Sequence, residues 1–336
     1  MSLSNIAIVV PTIRSESIKT FLNAWKTEFS KCTIYIVEDN PRPTCDILRK
    51  ANTNIKHYTW KDIDNDLGND SWIIPRRTDC VRSYGFYSAF KDGADVIISM
   101  DDDCLPPSDM ASGSFIRGHI NNLTKKSLPG ERSNAWISTI EGLKPRGIPF
   151  GTKNRDYNFM ISHGLWLNVP DLDAITQLRL HNNHAELSSL YRNIDQAIPR
   201  GMFYPMCGMN VAFRAEITPI MYFLLMGKDY PYDRFGDIWC GLFSKKILDK
   251  FEYDVFSGNP AVLHKRASDP WVNLHKEEPG YLIHENLWKI VNDCLILGDT
   301  YGNAYRNLAS IIGQLDGDYF SRLSSAMELW VNLCEQ

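Results

Sequence analysis

Ala94-Asp95-Val96-Ile97-Ile98-Ser99-Met100-Asp101-Asp102-Asp103-Cys104 is the stretch that decides how this chain is read. A β-branched apolar run that breaks into three consecutive carboxylates predicts a buried strand whose C-terminal end opens on a ligand crevice, where α/β sheets place their chemistry. Carboxylate oxygens gathered at one point suit a hard divalent cation. Such a cation in turn holds a diphosphate, because Mg²⁺ and Mn²⁺ prefer carboxylate and phosphate oxygen to nitrogen or sulfur. An acidic turn is the plain alternative. Three adjacent aspartates repel one another unless a cation, Arg or Lys neutralises them, and this favours the metal site.

On the N-terminal side, Ile6-Ala7-Ile8-Val9-Val10, ended by Pro11-Thr12, predicts a first buried parallel strand. Phe21, Trp25 and Phe29 recur every four residues and so share one face of a helix, with Ser15 and Ser17 as candidate caps. Thr33-Ile34-Tyr35-Ile36-Val37 repeats the strand pattern and stops at Glu38-Asp39, again with carboxylates at the strand's end. Pro41, Pro43 and the acidic, Asn-rich stretch Asp62 to Asp70 read as turns and surface loop. A helix from about Thr78 to Lys91 then leads into the acidic strand, completing an alternating α/β half. This half has neither a Gly-x-Gly-x-x-Gly fingerprint nor a Walker loop, so a bound phosphate falls to metal and not to a glycine-rich cradle.

From Ala111 to Arg200 loop signals mix with short apolar runs. Gly- and Pro-rich turns are predicted at Lys144–Phe150 and His163–Pro170, and their Arg, His and Trp residues are candidate substrate contacts. From Leu282 onward Leu287, Ile290, Val291, Leu308, Ile311, Ile312, Leu323, Met327, Trp330 and Val331 recur at three- and four-residue steps. The expected organisation is a catalytic domain over residues 1–280 and a C-terminal helical extension over 281–336.

Of the 336 residues, 44% are hydrophobic and 23% charged, and a formal charge of −4 gives no footprint for nucleic acid. The eight cysteines form no Cys-x-x-Cys pair, which argues against a disulfide framework or a structural zinc and for reduced thiols. With no leader and no run approaching ~18 apolar residues, a cytoplasmic protein without a membrane span is expected.

Several blocks carry a family resemblance: Val10–Arg14, Asp39, Arg82 with Gly85, Ile98–Cys104, Pro145–Phe150, Ser162–Pro170, Pro205–Phe213, Met221–Phe223, Asp237–Trp239 and His264–Leu274. In order and spacing they resemble the reversibly glycosylated polypeptides, also known as UDP-arabinopyranose mutases. The resemblance covers almost the whole chain and implies a GT-A-like α/β fold with a mixed sheet flanked by helices. It implies a UDP-sugar substrate (UDP-arabinose, with UDP-glucose, UDP-xylose or UDP-galactose as further candidates), Mn²⁺ or Mg²⁺, and homo- or hetero-oligomers.

The same resemblance assigns roles. Asp39 would accept hydrogen bonds from uracil or ribose, although a strand-end Asp also serves as a turn or cap. Asp101 would face ribose or metal, Asp103 and His264 would ligate the metal, and Asp102 would orient Arg82 or the sugar. Alternation along an extended segment would put Asp101 and Asp103 on one side. Pro11, Thr12, Arg14, Arg82, His163, Trp166 and Lys265 would line the substrate, Lys265 and Arg266 meeting the diphosphate. Arg146 matches the arginine that family members glycosylate reversibly. Because a guanidinium is a poor nucleophile it needs a carboxylate to take its proton, and Asp237 is the candidate. The alternative is an Arg146 that only neutralises diphosphate. Two departures stand out: Lys153 replaces the family's second arginine and loses its planar fork, and Leu180–Asn193 differs. Transfer to a separate acceptor and a non-catalytic UDP-sugar-binding subunit are the competing readings.

Overall fold

The computed structural model describes residues 3–45, 54–128, 146–147, 156–179, 195–265 and 269–336. Among them nine strands form one mixed sheet. β1 (Ile6–Thr12), β2 (Thr33–Glu38), β3 (Ile55–Tyr58) and β4 (Val96–Met100) are parallel, in the order β3-β2-β1-β4. β8 (Asn210–Arg214) continues the sheet antiparallel to β4, and β6 (Phe159–Asn168) lies antiparallel to β8 and parallel to β9 (Asp254–His264). β5 (Cys104–Leu105) and β7 (Gln196–Ile198) each pair antiparallel with β9. The α/β class, mixed sheet and flanking helices expected from the sequence are all present.

Strand alternation builds a core on each face. Ile8, Val10, Ile36, Ile98 and Met100 point to one side, where they meet Phe21 of α1 (Ser15–Ala24), Trp25 just beyond it and Phe115 of α4 (Ser114–Thr124). Val9, Val37 and Ile97 point to the other, beneath α3 (Arg82–Lys91) and α6 (Gly236–Lys250). At Gly85 a Cβ would lie 2.4 Å from Val9 Cγ1, so the absence of a side chain is what lets α3 rest directly on the sheet.

Two expectations are corrected, and the expected domain boundary is set against the helices. The stretch from Asp62 is not loop: α2 (Trp60–Leu67) is nucleated by a capping box in which Thr59 and Asp62 exchange hydrogen bonds, and it buries Ile63 and Leu67. The segment from His163 is not a turn but lies within β6, whose Gly and Pro signals mark close packing at Gly164 and the strand's exit at Pro170. The division at 280/281 falls inside the single helix α7 (Pro270–Asp293), which follows the short α5 (Ala174–Arg179) and α6 in chain order. The helical character of the C-terminus is as expected: α8 (Tyr301–Ile312) and α9 (Asp318–Glu335) complete it. These helices share the α3 face's core, with Trp330 stacked on Tyr222 and donating to the Thr218 carbonyl. All eight cysteines are free, and among the described residues no helix is long and apolar enough to cross a membrane.

Candidate active site

The acidic triplet sits where β4 ends, and its three carboxylates go three ways. β4 stops at Met100, and a turn closed by Cys104 N–H on the Asp101 carbonyl follows. Among the described residues Asp101 and Asp103 therefore take different side-chain partners, although they lie close enough to repel one another. Asp102, almost fully buried, turns towards β1: Thr12 Oγ1 donates to its Oδ2 at 2.6 Å and Arg14 pairs with its Oδ1. Burial pushes the Asp102 pKa up, while those two donors pull the other way. Arg14 also reaches Asp103 Oδ2 at 3.5 Å. Thr12 and Arg14 thus spend their hydrogen bonds on the triplet.

Asp101 belongs to Arg82, which is 1% exposed. Arg82 Nη2 donates to Asp101 Oδ1 at 2.5 Å, its Nε to the Asp79 carbonyl, and its Nη1 to both Ser99 Oγ (2.8 Å) and the Gly208 carbonyl (2.7 Å). The Gly208 N–H donates to Asp237 Oδ2 at 2.9 Å, in the first turn of α6. Burial, with Asp79 and Asp171 close by, pushes Asp237 up to about 7. Asp102 does not orient Arg82: it is Asp101 that pairs with this guanidinium.

Asp103 lies beside His264, brought there because β5 pairs with the end of β9 and sets Cys104 opposite His264. Asp103 Oδ1 is buried and has no hydrogen-bond partner among the described residues. It stands 3.9 Å from His264 Nε2. His264 Nδ1 is held at 2.8 Å by the Val169 carbonyl, so in the neutral imidazole that nitrogen carries the proton and Nε2 presents a lone pair. An orphaned carboxylate oxygen facing an imidazole lone pair fits a divalent cation. Burial and repulsion from Asp101 raise the Asp103 pKa to about 6, a cost that such a charge would offset. A second group, Asp171, Cys207 and Asp237, also brings its donor atoms within 4.8 Å of one another. Its sulfur is a soft donor, and burial holds that thiol firmly protonated, so it suits a hard cation less well than the Asp103–His264 pair.

Other expected site residues are placed differently. Asp39 accepts from Trp60 Nε1 (2.7 Å) and the Thr78 N–H (2.8 Å), one bond on each oxygen, which ties the end of β2 to these segments. His163 is buried, with Nδ1 on Ser257 Oγ and Nε2 accepting from the Cys207 N–H, which makes it a support of the backbone at Cys207 and not a surface contact. Trp166 packs edge-on to His163, Pro11 is buried in β1, and Lys265 is exposed while its N–H donates to the Asp103 carbonyl. Arg146 lies exposed in a turn with Gly147, and no hydrogen bond or ion pair joins it to Asp237. Lys153, Arg266 and Leu180–Asn193 lie outside the described residues. Ser99, Asp79, Asp171 and Gly208 were not singled out in the sequence. Asp79 stands three residues before Arg82 on what becomes one helical turn, a spacing that would have marked it. Gly208 carries no such local signal.

A cavity of 640 Å³ lies away from this crevice, lined by Tyr58, Asp66, Tyr84, Tyr87 and Lys91 among others. The Tyr84 hydroxyl there is already committed to Asp66. The acidic triplet does not line it.

A sheet whose parallel half ends in carboxylates, two of them held by buried or half-buried arginines and the third facing a histidine, defines an α/β protein with a charged crevice at its strand ends. The chain belongs to the reversibly glycosylated polypeptide family, whose model matches residues 1–336. It is 34% identical to UDP-arabinopyranose mutase 1 of Oryza sativa subsp. japonica, over 98% of this chain and 90% of that protein. It is 32% identical to UDP-arabinopyranose mutase 3 of Arabidopsis thaliana, over 100% of this chain and 92% of that one. Among solved structures, the mannosyltransferase PcManGT from Pyrobaculum calidifontis in complex with GDP-Man and Mn²⁺ aligns over 98% of this chain and 73% of its own, at 10% identity and a TM-score of 0.41. That likeness is too slight to carry detail across.

Proposed function

We propose that this chain interconverts UDP-arabinopyranose and UDP-arabinofuranose with the help of a divalent cation, Mn²⁺ or Mg²⁺. The observation that carries the reading is the Asp103–His264 pair, a free carboxylate oxygen opposite an imidazole lone pair, in a chain that matches named mutases over nearly its whole length. A bound cation supplies charge that stabilises the departing diphosphate. Asp103 and His264 would hold it, with Asp101 fixed in the same crevice by Arg82, and Arg14 would add positive charge towards the diphosphate.

The sugar chemistry follows from bonds made and broken at C1. The C1–O bond to UDP breaks with its electron pair going to UDP. A guanidinium nitrogen of Arg146 bonds C1 and gives up a proton. Nitrogen electron density then opens the pyranose ring, O5 taking a proton. O4 attacks C1 and loses its proton, which closes the furanose, and a UDP oxygen displaces the arginine as the guanidinium is reprotonated. Asp237 is the candidate for the proton transfers, its burial giving it a carboxyl poised near neutrality. The exposure of Arg146, unlinked to Asp237, favours a second reading in which the sugar passes to a separate acceptor.

Incubation with UDP-arabinopyranose and Mn²⁺, followed by chromatography of the nucleotide sugars, tests the choice. Furanose product from the unaltered chain, reduced at least a hundredfold in Asp103→Asn and in Arg146→Ala, is the expected result. Free UDP or a sugar-modified acceptor without furanose rejects the mutase in favour of the transferase.

A further inference from the structure

We propose that Ser99 and His163 are positioning residues for the cation end of the crevice, acting through the backbone of Cys207 and Gly208 and through Arg82 to aim Asp101. The inference rests on the cation-dependent reading of the site given above.

The argument starts from the fork of Arg82. A guanidinium is a rigid plane, so where Nη1 is held determines where Nη2 points. Nη2 points at Asp101 Oδ1. Nη1 is held in a closed triangle: it donates to Ser99 Oγ (2.8 Å) and to the Gly208 carbonyl (2.7 Å), while Ser99 Oγ itself donates to that carbonyl at 2.7 Å. Ser99 reaches this triangle because it follows Ile97 on the face of β4 that looks towards α3, and Arg82 opens that helix. It is fully buried on a strand, where a hydroxyl is retained only with partners.

The carbonyl is a useful anchor only if the backbone leading into it cannot move, and that backbone is held at two successive N–H groups. Asp237 Oδ2 accepts the Gly208 N–H, and His163 Nε2 accepts the Cys207 N–H at 3.2 Å. An accepting Nε2 requires the proton on Nδ1, where Ser257 Oγ lies 3.0 Å away. Gly208 also leaves room for the fork: a Cβ there would lie 2.7 Å from the Phe223 ring and 3.2 Å from Arg82 Nη1. Two residues that touch neither Asp101 nor one another therefore converge on the same guanidinium. Partners of this kind behind a ligating carboxylate typically change metal affinity by about ten- to a hundredfold when removed.

The test is a titration of the full chain with Mn²⁺ in the presence of UDP, free Mn²⁺ being read from its electron paramagnetic resonance signal. Ser99→Ala is expected to weaken Mn²⁺ binding about tenfold, with UDP binding in the absence of metal unchanged. Lost turnover should recover at raised Mn²⁺. His163→Leu should act in the same direction, and His163→Gln, whose side-chain oxygen can again accept from Cys207, should restore most of the affinity. A merely structural role would lower the melting temperature and leave the Mn²⁺ constant where it was. An affinity in folded Ser99→Ala equal to that of the unaltered chain overturns the inference alone. An unaltered chain that takes up no Mn²⁺ with UDP overturns the cation-dependent reading and this inference with it.

Discussion

Two histidines show how far one residue's behaviour depends on what surrounds it. His119 accepts from Ser162 at Nδ1 and donates to Asn210 Oδ1 at Nε2, and His163 is equally enclosed; burial lowers both to about 4. Between the ordinary value and 4 the unfolded chain takes up protons that the native chain refuses, so stability falls as the pH falls through 6.5 towards 4. The slope is about 1.4 kcal/mol per pH unit for each group. Denaturant unfolding at a series of pH values should show this loss, and His119→Gln, less stable at neutrality, should show a shallower one; parallel slopes would remove His119 as a cause. The sequence picked out Asp103 and His264 as chemically suited side chains, and the fold sets them 3.9 Å apart. Direction was not legible in it: Thr12, Asp39 and His163 have the chemistry of substrate contacts, yet their polar atoms bond to Asp102, Trp60 and Cys207. Nothing local says which way a strand-end side chain turns, because a neighbouring strand supplies the partner.

At the scale of elements β1, β2 and β4 could be read from the chain because each is an apolar run ending in a polar stop, whereas β3, Ile-Lys-His-Tyr, carries no such pattern. β6 could not, since its Gly164 looks like a turn residue. The glycine is there for Asn210, whose Nδ2 donates to the Leu165 and Pro260 carbonyls and would lie 2.2 Å from a Cβ at position 164. Asn210 thereby links β8 to β6 and β9 across the middle of the sheet. Gly164→Ala should cost about 1–3 kcal/mol from overpacking, seen as a fall of several degrees in the melting temperature; an unchanged melting temperature would mean that Asn210 has room to move. α2 was hidden by composition: its Asp and Asn content reads as loop, while the decisive signal is the spacing of Thr59 and Asp62.

For the whole molecule, the C-terminal helices are part of the structure that carries the site. Trp330 is fully buried, stacks on Tyr222 and donates to Thr218, and Tyr319 donates to the Leu225 carbonyl. Calorimetry should therefore record one transition, and Trp330→Ala should move all of it, by about 3–5 kcal/mol; two separable transitions would mean that the last helices fold on their own. The antiparallel half was the least legible part of the molecule, because its strands are joined across long stretches of chain and pairing between distant segments leaves no periodicity in either. The pairing of β5 with β9 also has a consequence in time. A chain emerging from the ribosome exposes its acidic triplet early, but a nascent chain that ends at Val262 has no histidine to set opposite Asp103. Capture of the proposed cation would then wait until β9 has found β5. By mass action such an ion would stabilise only chains in which that pairing is made, and would give shorter nascent chains no template to fold around.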